Sequence, residues 1–153
     1  FADFVIKTFD TIDVLINNTG VFFFFYVHDE EDGVLEKTIQ TNLYSAYYLT
    51  QKLVPKMIVQ KNGYIFNMCS VASFKAYPNG GSYSISKFAL LGFSKCLREE
   101  LKEFNIKVTS ILPGATLTDS WSETNLPESR FSKSEDIAEL IYSITQLSAF
   151  SFF

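Results

Sequence analysis

The sequence predicts an α/β fold, a doubly wound parallel sheet with helices on both of its faces. Three short apolar runs at 13–17, 63–69 and 107–112 have the composition of strands that are buried on both sides. Segments with helical periodicity lie between these runs, and such alternation forms βαβ units with right-handed crossovers. We therefore expect residues 1–153 to form a single, partial domain in which three clear strands lie side by side.

The composition excludes several classes of protein. Of the 153 residues, 47% are hydrophobic and 20% are charged, which is sufficient to build a core and rules out a disordered chain. No apolar run approaches the roughly 18–20 residues that span a bilayer, so we expect no membrane partner. The net charge of -4 disfavours a nucleic-acid partner. Cys69 and Cys96 form neither a disulfide framework nor a metal-ligand pattern, so we expect no metal site. No export signal is evident, and we expect a cytoplasmic location.

The first half of the sequence predicts a strand, a turn, a long helix and a second strand. The run at 13–17 ends in Asn17-Asn18-Thr19-Gly20, and these residue types favour a turn. Apolar residues recur with a period of about 3.6 across 35–61, which predicts a helix. We expect Pro55 to kink or restart this helix, because proline has no amide hydrogen to donate.

The second half repeats the alternation of helix and strand. A polar loop at 70–82 precedes a helix predicted at 83–104, and Pro113-Gly114 stops the strand at 107–112. The tripeptide Ser134-Glu135-Asp136 predicts the capped start of a last helix, since short polar and acidic side chains stabilise the positive end of a helix.

The carboxyl ends of the strands are the places to look for a binding site, because ligands of open parallel sheets bind there. In this sequence those ends are Asn17–Gly20, Cys69–Ser70 and Pro113–Gly114. The segment at 116–131, which contains Trp121, follows the third end. We expect it to form a flexible flap over a bound ligand.

Tyr83 and Lys87 are candidates for proton-transfer chemistry. They are four residues apart at the start of a predicted helix, so their side chains share one face. An ammonium beside a phenol lowers the pKa of the phenol, which makes it a plausible general acid or base. Taken alone, such a pair is more often a solvated pair on a helix surface. Ser70 at a strand end and Asn42 within a helix add polar groups, and together they favour a catalytic pair over a solvated surface pair.

Together these residues resemble the short-chain dehydrogenase/reductase family in its compact form. Asn17-Asn18-Thr19-Gly20 is similar to the N-N-A-G turn of the family, with Thr19 where alanine is usual, and Tyr83-Ser84-Ile85-Ser86-Lys87 matches its Y-x-x-x-K pattern. Pro113-Gly114 with Thr118 matches its P-G segment beside the nicotinamide. The resemblance covers residues 13 to 147. It implies a Rossmann-like fold and NAD(P)-dependent hydride transfer between an alcohol and a ketone.

The resemblance assigns catalytic roles to four side chains. Tyr83 exchanges a proton with the substrate oxygen, and Lys87 lowers the pKa of Tyr83 and holds the nicotinamide ribose. Ser70, which matches the catalytic serine, donates to the substrate oxygen. Asn42, which matches the catalytic asparagine, positions a water that links Lys87 to solvent. The alternatives are that Ser70 is a loop or cap serine and that Asn42 is a core amide with satisfied hydrogen bonds. The implied cofactor-binding residues are Asn17, Gly20, Tyr83, Lys87, Pro113, Gly114 and Thr118.

The sequence departs from the family pattern in its amino-terminal part. The family opens with a T-G-x-x-x-G-x-G turn that holds the pyrophosphate, and no such motif occurs in these 153 residues. The residue that selects NAD or NADP is also absent, so we expect either cofactor, with NADP slightly favoured. We expect the 153-residue chain by itself to bind NAD(P) weakly. The run Phe22–Phe25 has no periodicity and fits no predicted element.

The leading functional hypothesis is a carbonyl reductase or alcohol dehydrogenase, for example one similar to 3-oxoacyl-carrier-protein reductases, with a small carbonyl or alcohol substrate. A second hypothesis is a non-catalytic interaction protein or remnant of such an enzyme. A third is a sugar-nucleotide epimerase or dehydratase, which shares Y-x-x-x-K but usually carries a larger carboxyl-terminal domain. Family members commonly pair their long helices, so we expect a homodimer or homotetramer formed through 35–61 and 83–104. The large apolar side chains there are Tyr44, Tyr47, Tyr48, Phe88 and Phe93.

Overall fold

Three parallel strands form the sheet in the computed structural model, which describes residues 1–118 and 125–147. Strand β1 (Val14–Asn17) pairs with β2 (Gly63–Met68), and β2 pairs with β3 (Ile106–Ile111). The order in the sheet is β1-β2-β3. The prediction of three adjacent parallel strands is confirmed, and the observed boundaries lie within about one residue of those expected from the apolar runs.

Helices lie on both faces of the sheet, as a doubly wound fold requires. Those in the described part of the chain are α1 (Ala2–Thr8), α2 (Val34–Ile39), α3 (Ser45–Gln60), α4 (Gly81–Leu101) and α5 (Ser134–Thr145). Short 3-10 turns occur at Val71–Ser73, Lys102–Phe104 and Glu128–Arg130. Within the described ranges, no helix combines the length and the apolar character needed to cross a bilayer.

The start of one helix and the cap of another differ from the sequence prediction. Helix α4 begins at Gly81, inside the predicted polar loop, which places Tyr83 in its first turn. Helix α5 does begin at Ser134, but its N-cap residue is Lys133 and no side chain caps it. Glu135 and Asp136 occupy the first turn of α5, so their charges still face the positive end of the helix.

The long helix predicted at 35–61 is continuous but irregular. Helix α2 passes into α3 through a π-helical turn at Gln40–Tyr44. Pro55 lies inside α3 without ending it, so the helix does not restart there. The buried face of α3 holds the helix against the sheet here, since Leu53 and Met57 on either side of Pro55 are 2% and 0% exposed. Tertiary packing thus compensates for the hydrogen bond that proline cannot donate.

Each face of the sheet has its own hydrophobic cluster. On the face covered by α1, α3 and α4, the buried residues are Ile12, Leu15, Leu53, Met57, Ile65, Leu97, Leu101, Ile106 and Val108. On the opposite face, α5 packs Ile141 and Ile144 against Phe66 and Ile111. Strand β2 lies in the middle of the sheet and is the most buried of the three, and both β2 and β3 contribute residues to the two clusters. The carboxyl ends of all three strands therefore lie on one edge of a rigid platform.

The loop between β1 and α2 crosses the start of α4 and is bound to it. Phe25 forms an isolated parallel bridge with Gly80. Glu30 accepts a hydrogen bond from the backbone amide of Ser82 at 2.7 Å, and the Ser82 hydroxyl donates to its other oxygen. Gly81 is confined by the same contact, because a Cβ there would lie 2.2 Å from Glu30 Oε1. A carboxylate from 52 residues away in sequence thus satisfies an amide in the first turn of α4.

We expect Glu30→Ala to lower the free energy of unfolding by about 1–2 kcal/mol. The substitution leaves a first-turn amide of α4 without its acceptor and removes a negative charge from the positive end of the helix. Urea denaturation of the full chain, followed by circular dichroism, measures the change. The matched control is Glu31→Ala, because Glu31 is exposed, and its effect should stay within about 0.5 kcal/mol. Equal stability of the two variants would contradict the capping role of Glu30.

Candidate active site

Two cavities open at the carboxyl ends of the strands. The larger has a volume of about 940 Å³ and extends from β1 across the end of β2 to α5. The smaller has a volume of about 360 Å³ and lies between the loop after β1, the loop after β2 and the loop after β3. The residues that line both cavities are Phe22, Cys69, Tyr83, Pro113, Thr116 and Thr118. Tyr83 therefore stands at the junction of the two spaces.

Tyr83 and Lys87 project from the first two turns of α4, one turn apart. The Lys87 ammonium donates to the backbone carbonyl of Met68 at 2.7 Å and lies 5.6 Å from the centre of the Tyr83 ring. Lys87 is only 5% exposed, so the solvated surface pair considered for this spacing is excluded. The helix thus presents a buried ammonium close to the ring of the half-buried Tyr83.

Burial dominates the electrostatics of this pair. Loss of solvent raises the pKa of Tyr83, a hydrogen bond with the Ser70 side chain acts in the opposite direction, and Cys69 adds to the rise. Loss of solvent lowers the pKa of Lys87. The expectation that Lys87 would depress the pKa of Tyr83 is therefore wrong for this structure. The physical reason is that both charged forms are desolvated, and the ammonium is directed at the Met68 carbonyl.

Ser70 combines the two roles that the sequence left open. It is the N-cap of the 3-10 turn Val71–Ser73, where its hydroxyl accepts from the Ala72 amide at 3.1 Å. Ser73 completes a capping box by accepting from the Ser70 amide. The Ser70 side chain also hydrogen-bonds with Tyr83 and lines the smaller cavity. The cap fixes the hydroxyl in place, and the cavity gives a ligand access to it.

Asn42 is a buried amide that joins three segments. Its Oδ1 accepts from the Val21 amide at 2.7 Å, and its Nδ2 donates to the Val21 carbonyl at 3.0 Å. The same Nδ2 donates to the Ser86 hydroxyl on α4 at 2.9 Å. The π-helical turn that contains Asn42 thereby anchors the loop after β1 to the helix of Tyr83 and Lys87. Its proposed contact with a water remains a prediction.

Asn17 belongs to a hydrogen-bonded network inside the sheet. Its Nδ2 donates to Asn67 Oδ1 at 2.8 Å and to the Thr50 hydroxyl at 3.0 Å. Asn67 in turn donates to the Ser94 hydroxyl on α4 at 2.8 Å. Asn17 is buried and is not among the residues that line either cavity. It fixes the end of β1 beneath the turn at Gly20, and its role as a direct cofactor contact remains a prediction.

The other expected cofactor-binding residues lie at the cavity walls. Gly20 lines the larger cavity, Gly114 lines the smaller one, and Pro113 and Thr118 line both. Pro113 also ties two strand ends together, because its carbonyl accepts from the Val71 amide at 3.1 Å. The predicted flap is described only in part: Thr116 bridges to Ser132, whereas Trp121 lies outside the described residues.

Sequence reasoning did not identify three further residues of the smaller cavity. Phe22 and Phe24 line it together with Tyr77, from the loop before α4. The available signal was positional: the Phe22–Phe25 run directly follows the turn at the end of β1, where a ligand is expected. The absence of periodicity in that run is explained by its loop conformation.

Comparisons with known proteins agree with this geometry. Residues 1–129 match the family described as short chain dehydrogenase. The chain is 33% identical to a sepiapterin reductase of Chlorobaculum tepidum over 121 residues, covering 79% of this chain and 50% of that protein. It is 31% identical to a 3-oxoacyl-[acyl-carrier-protein] reductase of Thermotoga maritima over 147 residues, covering 90% of this chain and 60% of that protein.

Solved structures show the same likeness. A metagenomic short-chain oxidoreductase, crystallised in complex with NADP, superposes with a TM-score of 0.84 at 28% identity. The match covers 100% of this chain and 63% of that one. The chain thus spans about half to three fifths of the length of these relatives. The family match and the shared fold lead to one conclusion: this chain belongs to the short-chain dehydrogenase/reductase family.

Proposed function

We propose that this chain carries the catalytic half of an NAD(P)-dependent oxidoreductase that interconverts a small carbonyl compound and its alcohol. The observation that carries the proposal is the position of Tyr83 at the junction of two cavities. Lys87 lies on the side of the larger cavity, and Ser70 lines the smaller one. A proton donor between two binding spaces is the arrangement that a hydride-transfer reaction between two bound molecules requires.

The residues of the smaller cavity would bind and protonate the substrate oxygen. The Ser70 hydroxyl, held by its capping box, donates to that oxygen and orients it. Tyr83 donates its phenolic proton to the oxygen during reduction and accepts it during oxidation. Because burial raises the pKa of Tyr83, the phenol is the form present at neutral pH, which suits reduction.

The larger cavity fits the nicotinamide and ribose of a dinucleotide. Lys87 supplies a buried ammonium whose donors suit ribose hydroxyls. Gly20 lines the same cavity beside Lys87. Pro113 and Thr118 form the opposite wall. The nicotinamide group would supply or accept the hydride. We favour NADP slightly over NAD, and the related oxidoreductase that was crystallised with NADP supports this choice.

The alternatives predict different behaviour toward cofactor. The family match favours an oxidoreductase over a sugar-nucleotide epimerase, although both use Y-x-x-x-K. The reductase relatives support a carbonyl substrate such as a 3-oxoacyl thioester or a ketone, without selecting between them. If the protein is a non-catalytic remnant, neither this chain nor a longer protein that contains it should bind a dinucleotide. Calorimetry with NADPH and NADH tests for this binding.

We also propose that the protein forms a homodimer or homotetramer through α3 and α4. Tyr44 at the end of the π-helical turn, Tyr48 on α3 and Phe88 on α4 are 46%, 57% and 45% exposed, which is a large apolar area for a solvent-facing surface. A groove of about 670 Å³ runs between the two helices and contains Tyr47 and Phe93. A second copy, packed helix against helix about a two-fold axis, would bury these side chains.

Tyr83→Phe should reduce kcat on the order of 10²-fold or more while the circular dichroism spectrum stays unchanged, because the ring remains and only the proton donor is lost. NADPH-dependent ketone reduction by the intact enzyme that contains this chain, followed by absorbance, measures the loss. Tyr48→Phe is the matched control, since Tyr48 lies on α3 outside both cavities and is 57% exposed. Near-normal turnover by Tyr83→Phe would remove Tyr83 from the mechanism.

Tyr83 should ionise above the ordinary tyrosine value of 10.0 in the cofactor-free protein, because burial disfavours the phenolate. The difference in tyrosinate absorbance between the wild type and Tyr83→Phe isolates this titration. Ser70→Ala should raise the pKa further, since the Ser70 hydrogen bond favours the phenolate. Burial, with a smaller contribution from Tyr83, raises the pKa of Tyr77 to about 12, so Tyr77→Phe is placed in the background of both proteins to remove its titration. A Tyr83 midpoint well below 10.0 would contradict the dominance of burial.

A further inference from the structure

The smaller cavity has an aromatic, uncharged lining. Four of its residues are aromatic: Phe22, Phe24, Tyr77 and Tyr83. Its remaining lining residues are Cys69, Ser70, Val71, Pro113, Gly114, Ala115, Thr116 and Thr118. Within residues 1–118 and 125–147, none of the residues that line it has a charged side chain. A charged substrate group would enter this space without an ionic partner, at a large desolvation cost.

Phe22 and Phe24 form a continuous aromatic wall with Tyr83. The Phe22 ring meets the Tyr83 ring edge to face, with centroids 4.5 Å apart and an interplanar angle of 69°. Phe22 and Phe24 meet in the same manner, at 4.3 Å and 66°. Edge-to-face packing is a favoured arrangement of aromatic rings and stabilises the wall beyond the area that the rings bury. The wall thus extends from the proton donor to Phe24, which is 55% exposed at the mouth.

The backbone on either side of this wall is fixed. Asn42 holds Val21 through both its amide and its carbonyl, and Phe25 forms a bridge with Gly80. Phe23, between the two wall residues, lies instead under the ammonium of Lys37, at 5.3 Å from its ring centre. Alternate residues of the run therefore have different surroundings: Phe22 and Phe24 line the cavity, and Phe23 contacts Lys37. A wall held in this way is pre-organised, so little conformational entropy is lost when a ligand binds.

We propose that the smaller cavity is a subsite for an uncharged carbonyl compound that carries an aromatic ring next to its carbonyl group, and that Phe22 and Phe24 determine this specificity. The inference rests on the proposed function, because the carbonyl oxygen is placed between Ser70 and Tyr83. The ring packs against the wall that continues from Tyr83 through Phe22 to Phe24. A volume of about 360 Å³ suits a ketone of one or two rings.

Three ketones of similar size test the subsite. Acetophenone carries the ring, cyclohexyl methyl ketone replaces the ring by a saturated one, and 4-acetylbenzoate adds a carboxylate to it. Their binding to the full protein is measured by saturation-transfer NMR titration with NADP⁺ present, which has no hydride to give, and their reduction is measured separately by loss of NADPH absorbance. We expect acetophenone to bind about 3-fold to 10-fold more tightly than the saturated ketone and at least about 10-fold more tightly than the acid.

Variants locate the effect within the phenylalanine run. Phe24→Ala should weaken acetophenone binding about 5-fold to 10-fold and remove the preference for the aromatic ring. Phe23→Ala is the matched control, because Phe23 is not among the residues that line the cavity. This variant should leave the affinity for acetophenone and the preference for the aromatic ring unchanged. Equal binding of the three ketones, no binding of acetophenone, or equal effects of the two variants would each overturn the inference. Selective binding without any ketone reduction would support the subsite and would reject the proposed function instead.

Discussion

The site depends above all on one buried amide, the side chain of Asn42. Its three hydrogen bonds connect the π-helical turn, the loop after β1 and helix α4. An amide in the interior must find partners for its donors and its acceptor, and the backbone of Val21 and the Ser86 hydroxyl supply them here. The aromatic wall and the Tyr83–Lys87 pair are therefore held in one mutual arrangement. A regular α-helix at this position would place the amide at a different height and angle.

Desolvation is the second constraint, and it acts on every polar group around Tyr83. The phenol, the ammonium and the thiol of Cys69 are all partly or largely removed from water, and burial raises the pKa of the thiol as it does that of the phenol. Uncharged forms of Tyr83 and Cys69 are thereby favoured, whereas Lys87 keeps a hydrogen bond to the Met68 carbonyl. Electrostatic interactions around Tyr83 therefore act in an environment of lower polarity than water.

Much of the fold was predictable because its signals are local. The apolar runs located β1, β2 and β3, and the four-residue spacing placed Tyr83 and Lys87 on one face of α4. Features that depend on distant contacts were not predictable. Glu30 caps a helix that lies 52 residues further along the chain, and no local pattern indicates that pairing. The π-helical turn and the uninterrupted passage of α3 through Pro55 follow from packing against the sheet. The direction of the Tyr83 pKa shift depends on burial, which the spacing of two residues does not reveal.

The parallel arrangement of β1 and β2 has a consequence for how the chain folds. Asn17 and Asn67, which meet at the ends of these strands, are 50 residues apart in sequence. Closing so long a segment costs conformational entropy before any strand pairing can repay it, and sheets of this topology assemble slowly for that reason. The contacts that shelter the phenylalanine run, at Asn42, Gly80 and Tyr83, also come from later parts of the chain. Until those parts dock, four consecutive phenylalanines are open to other molecules, and the segment that completes the cavity in the folded protein is an aggregation hazard during its folding.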